Sequence, residues 1–496
     1  MTEIELKLAL AAHPARNLAR RVAALPALAG QAGHRETLHN TYYDTPDHAL
    51  LRQGAVLRVR EVRSGGKTLW LQTFKTSGQH ASAMSRRGEW ESALAGPALS
   101  AELLQGTPWK TFDPRGRMFE QLQACFSTRF TRTRWLCKRP DGSVIEVALD
   151  IGAIVRGEHS LPIRELELEL KAGPVHALLG LARELATGLP CIPAAHSKSE
   201  RGYALAGRAT SPQAAHADDA PDGPGLRVVA QAALHGAFAQ FTSRLIAVCE
   251  GDDPEHVHQA RVGWRRFRSA RRLFKPLLDA PPDLPLEGLQ ALLDALTHLR
   301  ELDVAHTQTL PALGAVFMAG DAQRALAWQA LMEDLRQERT RSRARVRALL
   351  AQSGTAQALL EVTAWLDSVT TAPDTADARN TDESQRAWAL RRVRRLGRDL
   401  RQACRQLADA QAQHRARILA KRLRYAVDNL RALLPAGRVR RWHRRAQLWQ
   451  SALGDQRDLA QAIERVARMP AHPAIAEFLR GYQAGIADRA RGTPPS

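Results

Sequence analysis

The strongest alternation in the chain is Ile163-Arg164-Glu165-Leu166-Glu167-Leu168-Glu169-Leu170-Lys171. Successive side chains of a strand point to opposite faces, so three carboxylates share one face and the leucines take the other. Glu3-Ile4-Glu5-Leu6-Lys7-Leu8 repeats the arrangement at the start of the chain, with Glu3, Glu5 and Lys7 opposite Ile4, Leu6 and Leu8. Leu57 to Arg60, Leu69 to Lys75, Arg87 to Glu91, Arg132 to Trp135 and Ile145 to Asp150 alternate as well. Helices are expected near 13–25 and 174–188. One charged strand face is ordinarily solvated surface. Several in series, carrying complementary charges, predict a shared polar interior.

At 496 residues and 44% apolar content the chain holds two to four globular domains. Its net charge of +20, supplied mostly by arginine, predicts a polyanionic partner. The charged residues near the N-terminus exclude a secretory signal, and no run reaches the ~18–20 apolar residues of a membrane span. Five cysteines without metal-ligand spacing fit reduced thiols and a cytoplasmic location. Residues 206–225 lack apolar periodicity and read as a linker between a strand-rich domain, 1–205, and a helical domain, 226–496. The basic excess sits mainly in the second. Within it, His258-Gln-Ala-Arg261 through Arg268 recurs as His414-Arg-Ala-Arg417 through Arg424, so the helical half is duplicated. The copies are expected at about 226–366 and 385–496, joined by a polar linker at 367–384.

His258, Arg261, Arg265, Arg268 and Arg272 fall at helical spacing on one stripe, as do His414, Arg417, Lys421 and Arg424. Val262, Phe267, Ala270 and Phe274 occupy the far side of the first helix; Ile418, Leu423, Ala426 and Leu430 that of the second. Arg266 and Arg422 fall nearer the apolar side, with Asp303 and Asp458 as candidate salt-bridge partners. A solvated face would explain one basic stripe. Two with the same spacing and the same leading histidine point to a bound polyanion. Helix-turn-helix and zinc-finger patterns are absent and aromatic residues make up only 5%, which argues against nucleic acid and favours a featureless phosphate polymer.

Closed into a barrel with charged faces inward, the N-terminal strands would oppose carboxylates (Glu3, Glu5, Asp150, Glu165, Glu167, Glu169) to cations (Lys7, Arg58, Arg60, Lys75, Arg87, Arg132, Arg134). Hard divalent cations take carboxylate oxygens, and polyphosphates take arginine and lysine. An outer-membrane barrel also has a polar lumen, but without a signal peptide that reading is rejected. Glu3-x-Glu5-x-Lys7, Leu57-Arg58-Val59-Arg60, Thr73-x-Lys75, Arg87-x-Glu89, Asp150-x-Gly152, Glu165-Leu-Glu167-Leu-Glu169 and Ser197-Lys198-x-x-Arg201-Gly202-Tyr203 together resemble the CYTH domain of the triphosphate tunnel metalloenzymes. The helical half resembles the CHAD domain.

The resemblance implies an α+β multidomain chain: an eight-stranded antiparallel β tunnel, then an all-α duplicated helical bundle. It implies Mg²⁺- or Mn²⁺-dependent hydrolysis of inorganic triphosphate to pyrophosphate and phosphate. Glu3, Glu5, Glu167 and Glu169 would then bind metal, helped by Glu165 and Asp150, with Lys7 alongside them in the catalytic set. Lys7, Arg58, Arg60, Lys75, Arg87, Arg134 or Arg132, and Lys198 would bind phosphates. In the CHAD half the two stripes would bind inorganic polyphosphate. The competing readings are hydrolysis of thiamine triphosphate, cyclisation of ATP, and a non-catalytic polyphosphate-binding protein.

Overall fold

The computed structural model describes residues 2–76, 82–207, 225–278, 284, 286–371, 382–406, 410–452 and 455–492. Eight strands lie in the first part: β1 (Thr2–Ala9), β2 (His34–Asp44), β3 (Ala55–Ser64), β4 (Lys67–Thr76), β5 (Met84–Leu94), β6 (Gln123–Lys138), β7 (Val144–Arg156) and β8 (His159–Ala172). They pair antiparallel in the order β5-β4-β3-β2-β6-β7-β8-β1. A further ladder, β1 to β5, closes the ring. The two-residue strand β9 (Ile192–Pro193) adds to β1 outside it. Two hairpin turns rest on glycines with positive φ, Gly142 and Gly157, as tight reversals require.

The alternation sorts faces as the sequence predicts. Leu6, Leu8, Val147, Leu149, Leu166 and Leu168 point outward and are fully buried. They pack under Leu178, Leu181, Ala182 and Leu185 of helix His176–Gly188 and under Leu18 and Val22 of helix Leu18–Ala23. Each buried leucine contributes about 1.5–3 kcal/mol of transfer free energy. Ala356 and Leu360, from helix Ser353–Thr371, complete the same core.

At one end of the barrel the lumen face turns apolar. Tyr42, Phe126, Phe130 and Ile163 pack there with Tyr203 of helix Lys198–Leu205. Gly202 makes this possible: a Cβ at that position would lie 2.1 Å from the Phe126 ring. Ser197 and Glu200 form a reciprocal capping box at the start of that helix.

Compactness divides the described chain differently from the boundary read in the sequence. One unit takes residues 1–251, 262–289 and 350–382; the other takes 252–261, 290–349 and 383–496. Most of the expected linker at 206–225 lies outside the described residues. At the second expected linker, 367–384, the chain is still helical through Thr371 and helical again from Asp382. Residues 372–381 between them lie outside the described residues.

The second unit is built from long helices. Its core gathers Leu302, Leu313, Phe317, Trp328, Leu331 and Leu335 with Ile463, Val466, Ile475 and Leu479. Asp303 is fully buried there. It pairs with Arg339 at 2.9 Å and Arg343 at 3.8 Å, not with Arg266, which instead donates to Gln240 at 3.0 Å. The sequence marks Asp303 as a salt-bridge candidate without saying which neighbouring helix lies across it. The Asp458 side chain lies outside the described residues. The expected far-side residues Phe267, Ala270, Phe274, Leu423, Ala426 and Leu430 are buried, but Ile418 is exposed and Val262 only half-buried. Val257, Ala260 and Trp264 in one helix and Ala416 and Ala420 in the other are also buried, so the apolar seam includes residues that the sequence reading left out.

Candidate active site

Cross-strand register brings the charged faces together. Glu3 lies opposite Arg87, Glu5 opposite Glu169, Lys7 opposite Glu167, and Asp150 between Arg132 and Glu165. Lys75 is opposite Glu89, and Arg58 is opposite both Tyr42 and Thr73. The lumen encloses a cavity of about 830 Å³. Glu3, Glu5, Lys7, Arg58, Arg60, Lys75, Arg87, Arg132, Arg134, Glu167, Glu169 and Lys198 all line it. Arg132 and Arg134, alternatives in the sequence reading, both do so. Asp150 and Glu165 sit behind this wall, buried.

The charges pair across the lumen. Arg87 holds Glu3 at 3.3 Å and also bonds Glu5, which Lys7 bonds from its own strand. Lys75 reaches Glu3 at 3.2 Å and Glu89 at 2.6 Å. Arg132 makes a bidentate pair with Asp150, both contacts 2.7 Å, and touches Glu167. Lys198 sits among Asp150 at 2.6 Å, Glu167 at 3.0 Å and Glu165. Buried pairs of this kind roughly offset their desolvation cost, so they set geometry more than stability.

The electrostatics follow from crowding. Burial, with Arg87 and Arg58 close by, lowers the Lys75 ammonium to about 8. Burial likewise lowers Arg60 to about 10, reinforced by Arg58 and Arg132. Burial would raise Glu5, but Lys7 and Arg87 outweigh it and hold the carboxyl below its ordinary range. Glu167 is held well below that range in the same way, by Lys198 and Arg132 against burial. Glu169 goes the other way: burial raises it, and Glu3 and Glu146 raise it further against Lys171.

Two carboxylate groups could therefore hold a divalent cation. Asp150, Glu165 and Glu167 bring one oxygen each within 4.8 Å of one another. The Lys198 ammonium already bonds all three, so a metal there would have to displace it. Glu3, Glu5, Glu167 and Glu169 are the second set, hard oxygen donors lining the cavity. They too are already paired, Glu3 and Glu5 with Arg87, Glu167 with Arg132 and Lys198, and Glu169 with Lys171 at 2.6 Å, so a metal would compete with cations there as well.

Sequence reading missed strand β2. It supplies Glu36, Asn40 and Tyr42 to the lumen face, yet His34 to Asp44 is polar on both faces and shows no clean alternation. Glu36 pairs with Arg134 at 3.0 Å, and Asn40 accepts from Arg60 at 2.9 Å. Glu146, Glu89 and Glu91 also line the cavity; all three stood in quoted strands without being taken as site residues.

The stripe residues of helices Pro254–Phe274 and Ala410–Asn429 are solvent-accessible to different degrees. Arg268 and Arg272 are exposed; His258, Arg261, Arg265, Arg417, Lys421 and Arg424 are half-buried. Arg261 donates to Thr297, and Arg424 lies over the Tyr425 ring at 5.1 Å. The His414 side chain lies outside the described residues.

A closed antiparallel barrel whose lumen sets carboxylates against guanidinium and ammonium groups defines a tunnel protein with a charged interior. Residues 1–203 match the family model of the CYTH domain and residues 232–467 that of the CHAD domain. The chain carries a CYTH domain followed by a CHAD domain. It is 37% identical over 210 residues to the inorganic triphosphatase of Haemophilus influenzae, covering 41% of this chain and 55% of that protein. The match thus spans about half the length of that relative. Among solved structures, the CHAD domain from the plant Ricinus communis is 25% identical, covering 56% of this chain and 90% of its own, with a TM-score of 0.46. The HpAC1 protein from Hippeastrum, described as having a dominant triphosphatase activity, is 18% identical, covering 42% and 99%, with a TM-score of 0.31. No described helix is long and apolar enough to cross a membrane.

Proposed function

We propose that the tunnel hydrolyses inorganic triphosphate to pyrophosphate and phosphate with Mg²⁺ or Mn²⁺, and that the helical domain binds inorganic polyphosphate. The observation that carries the first part is the lumen itself, where lysines and arginines face carboxylates that a simple anion holder would not need. Arg58, Arg60, Lys75, Arg87, Arg132, Arg134 and Lys198 would grip the phosphate oxygens. Glu3, Glu5, Glu167 and Glu169 would hold the metal, which when bound would supply charge neutralisation to the phosphates and acidity to a nearby water. Water adds to the terminal phosphorus, the bond to the bridging oxygen breaks, and pyrophosphate leaves with that electron pair. Lys7, paired with Glu5, keeps that carboxylate ionised and oriented. Charged side chains dominate the lining, but Tyr42, Trp90 and Phe130 also reach it, so product analysis with thiamine triphosphate and ATP separates those substrates from inorganic triphosphate.

Phosphate release from tripolyphosphate, stopped by a chelator and restored by either metal, tests the reading. Glu3→Gln with Glu5→Gln should slow it on the order of a hundredfold; undiminished release would sink the site assignment. For the helical domain, Arg265→Glu with Arg268→Glu in the full chain should weaken retention of long-chain polyphosphate. Displacement by DNA at equal phosphate concentration would rule out selective binding.

A further inference from the structure

The ring closes where β1 meets β5. Residues 84–88 of β5 pair with β1, whereas β4 pairs with 89–94. Among the described residues, the half of β5 that touches β1 therefore has a ladder on one side only. That half carries two donors onto the carboxylates of β1: Ser85 donates to Glu5 at 3.1 Å, and Arg87 reaches both Glu3 and Glu5. Between them, Arg86 points out of the barrel. Asp367 grips it with two contacts, 2.6 and 3.2 Å.

Asp367 belongs to helix Ser353–Thr371, far along the chain from β5. This helix is itself well anchored. Glu361 pairs with Arg183 at 2.6 and 3.0 Å, Gln231 donates to the Val369 carbonyl at 3.2 Å, and Leu360 is fully buried in the barrel's outer core. A fixed carboxylate on a rigid helix is what an unsupported strand edge needs. With alternate side chains on opposite faces, holding Arg86 outside fixes Ser85 and Arg87 inside.

We propose that Asp367 is a positioning residue of the tunnel: through Arg86 it holds the β5 seam so that Ser85 and Arg87 meet Glu5 and Glu3. The role rests on the tunnel binding triphosphate, and it makes site geometry depend on a helix that the sequence assigns to the other half of the chain. It goes beyond the substrate and metal assignments because Asp367 touches neither.

The test uses the full chain with Asp367→Asn, Asp367→Glu and Arg86→Met. Backbone hydrogen exchange is read at residues 84–88, alongside KM and kcat for tripolyphosphate. In Asp367→Asn and Arg86→Met, exchange at 84–88 should quicken about tenfold with β6 to β8 unchanged. KM should rise by about the same factor. Asp367→Glu should recover part of both. Unchanged protection and unchanged KM in both disrupting variants would overturn the proposal, as would an equal loss of protection across β6 to β8. A wild-type chain that hydrolyses no tripolyphosphate would refute the functional reading alone, because the exchange comparison still decides whether the clamp exists.

Discussion

Tyr203 shows how one side chain holds the plugged end of the lumen. Its hydroxyl donates to Asp44 at 3.0 Å, and Asp44 also accepts the backbone N–H groups of Thr45, Leu50 and Leu51. Tyr203→Phe removes a bond to a buried carboxylate and should cost about 1–3 kcal/mol, read as a lower denaturant midpoint. It should also raise KM for tripolyphosphate, because Lys198 rides on the same helix. His13 carries a pH prediction. Burial foremost, helped by Arg21 and Arg164 and opposed by the Pro190 carbonyl, holds its imidazole below 6.5. Below pH 6.5 the unfolded chain takes up a proton that the folded chain refuses, so this contribution is complete above 6.5 and declines as pH falls through the folded value. The melting-temperature difference between wild type and His13→Gln should shrink on acidification across that window.

At the scale of elements, legibility tracked the contrast between faces. Strands β1, β7 and β8 have leucine, valine or isoleucine on one side and charge on the other, so both their existence and their inward residues were readable. Strand β2 was not, because Arg35, Thr37, His39 and Thr41 face out beside Glu36, Asn40 and Tyr42 facing in. Helix Lys198–Leu205 was legible as a motif but not as a plug; its place depends on Phe126 and Phe130, which lie some 70 residues earlier. The capping box gives this helix its own prediction. Ser197→Ala leaves the Glu200 N–H without its cap and should cost about 1 kcal/mol. Glu165→Gln, which weakens the grip on Lys198, should raise KM for tripolyphosphate without unfolding the barrel, as circular dichroism would verify.

Across the whole molecule, the positive charge and the barrel core lead to separate expectations. With a net charge of +20, retention of polyphosphate should fall steeply between low and moderate ionic strength, since the Debye length is about 10 Å at 0.1 M. A flat salt profile in a filter-binding assay would contradict an electrostatic grip. The barrel core includes Leu360, so Leu360→Ala should destabilise the tunnel by about 2–4 kcal/mol, seen as a lower melting temperature by circular dichroism. Sequence alone places that residue in the helical half, with no sign that it completes the outer wall of a barrel.

Local chemistry was thus written in the chain. Period-two alternation decides which side chains share a face, and the net charge of +20 is a simple sum, because both follow from residues close in sequence or from composition. Which charges meet was decided by tertiary structure. Register set Glu5 beside Glu169, Lys198 came to rest on Asp150 and Glu165 and so claimed the acidic trio that a metal would otherwise fit, and Asp367 reached Arg86. Pairings between distant segments depend on ladder register and helix docking, and no local pattern encodes either.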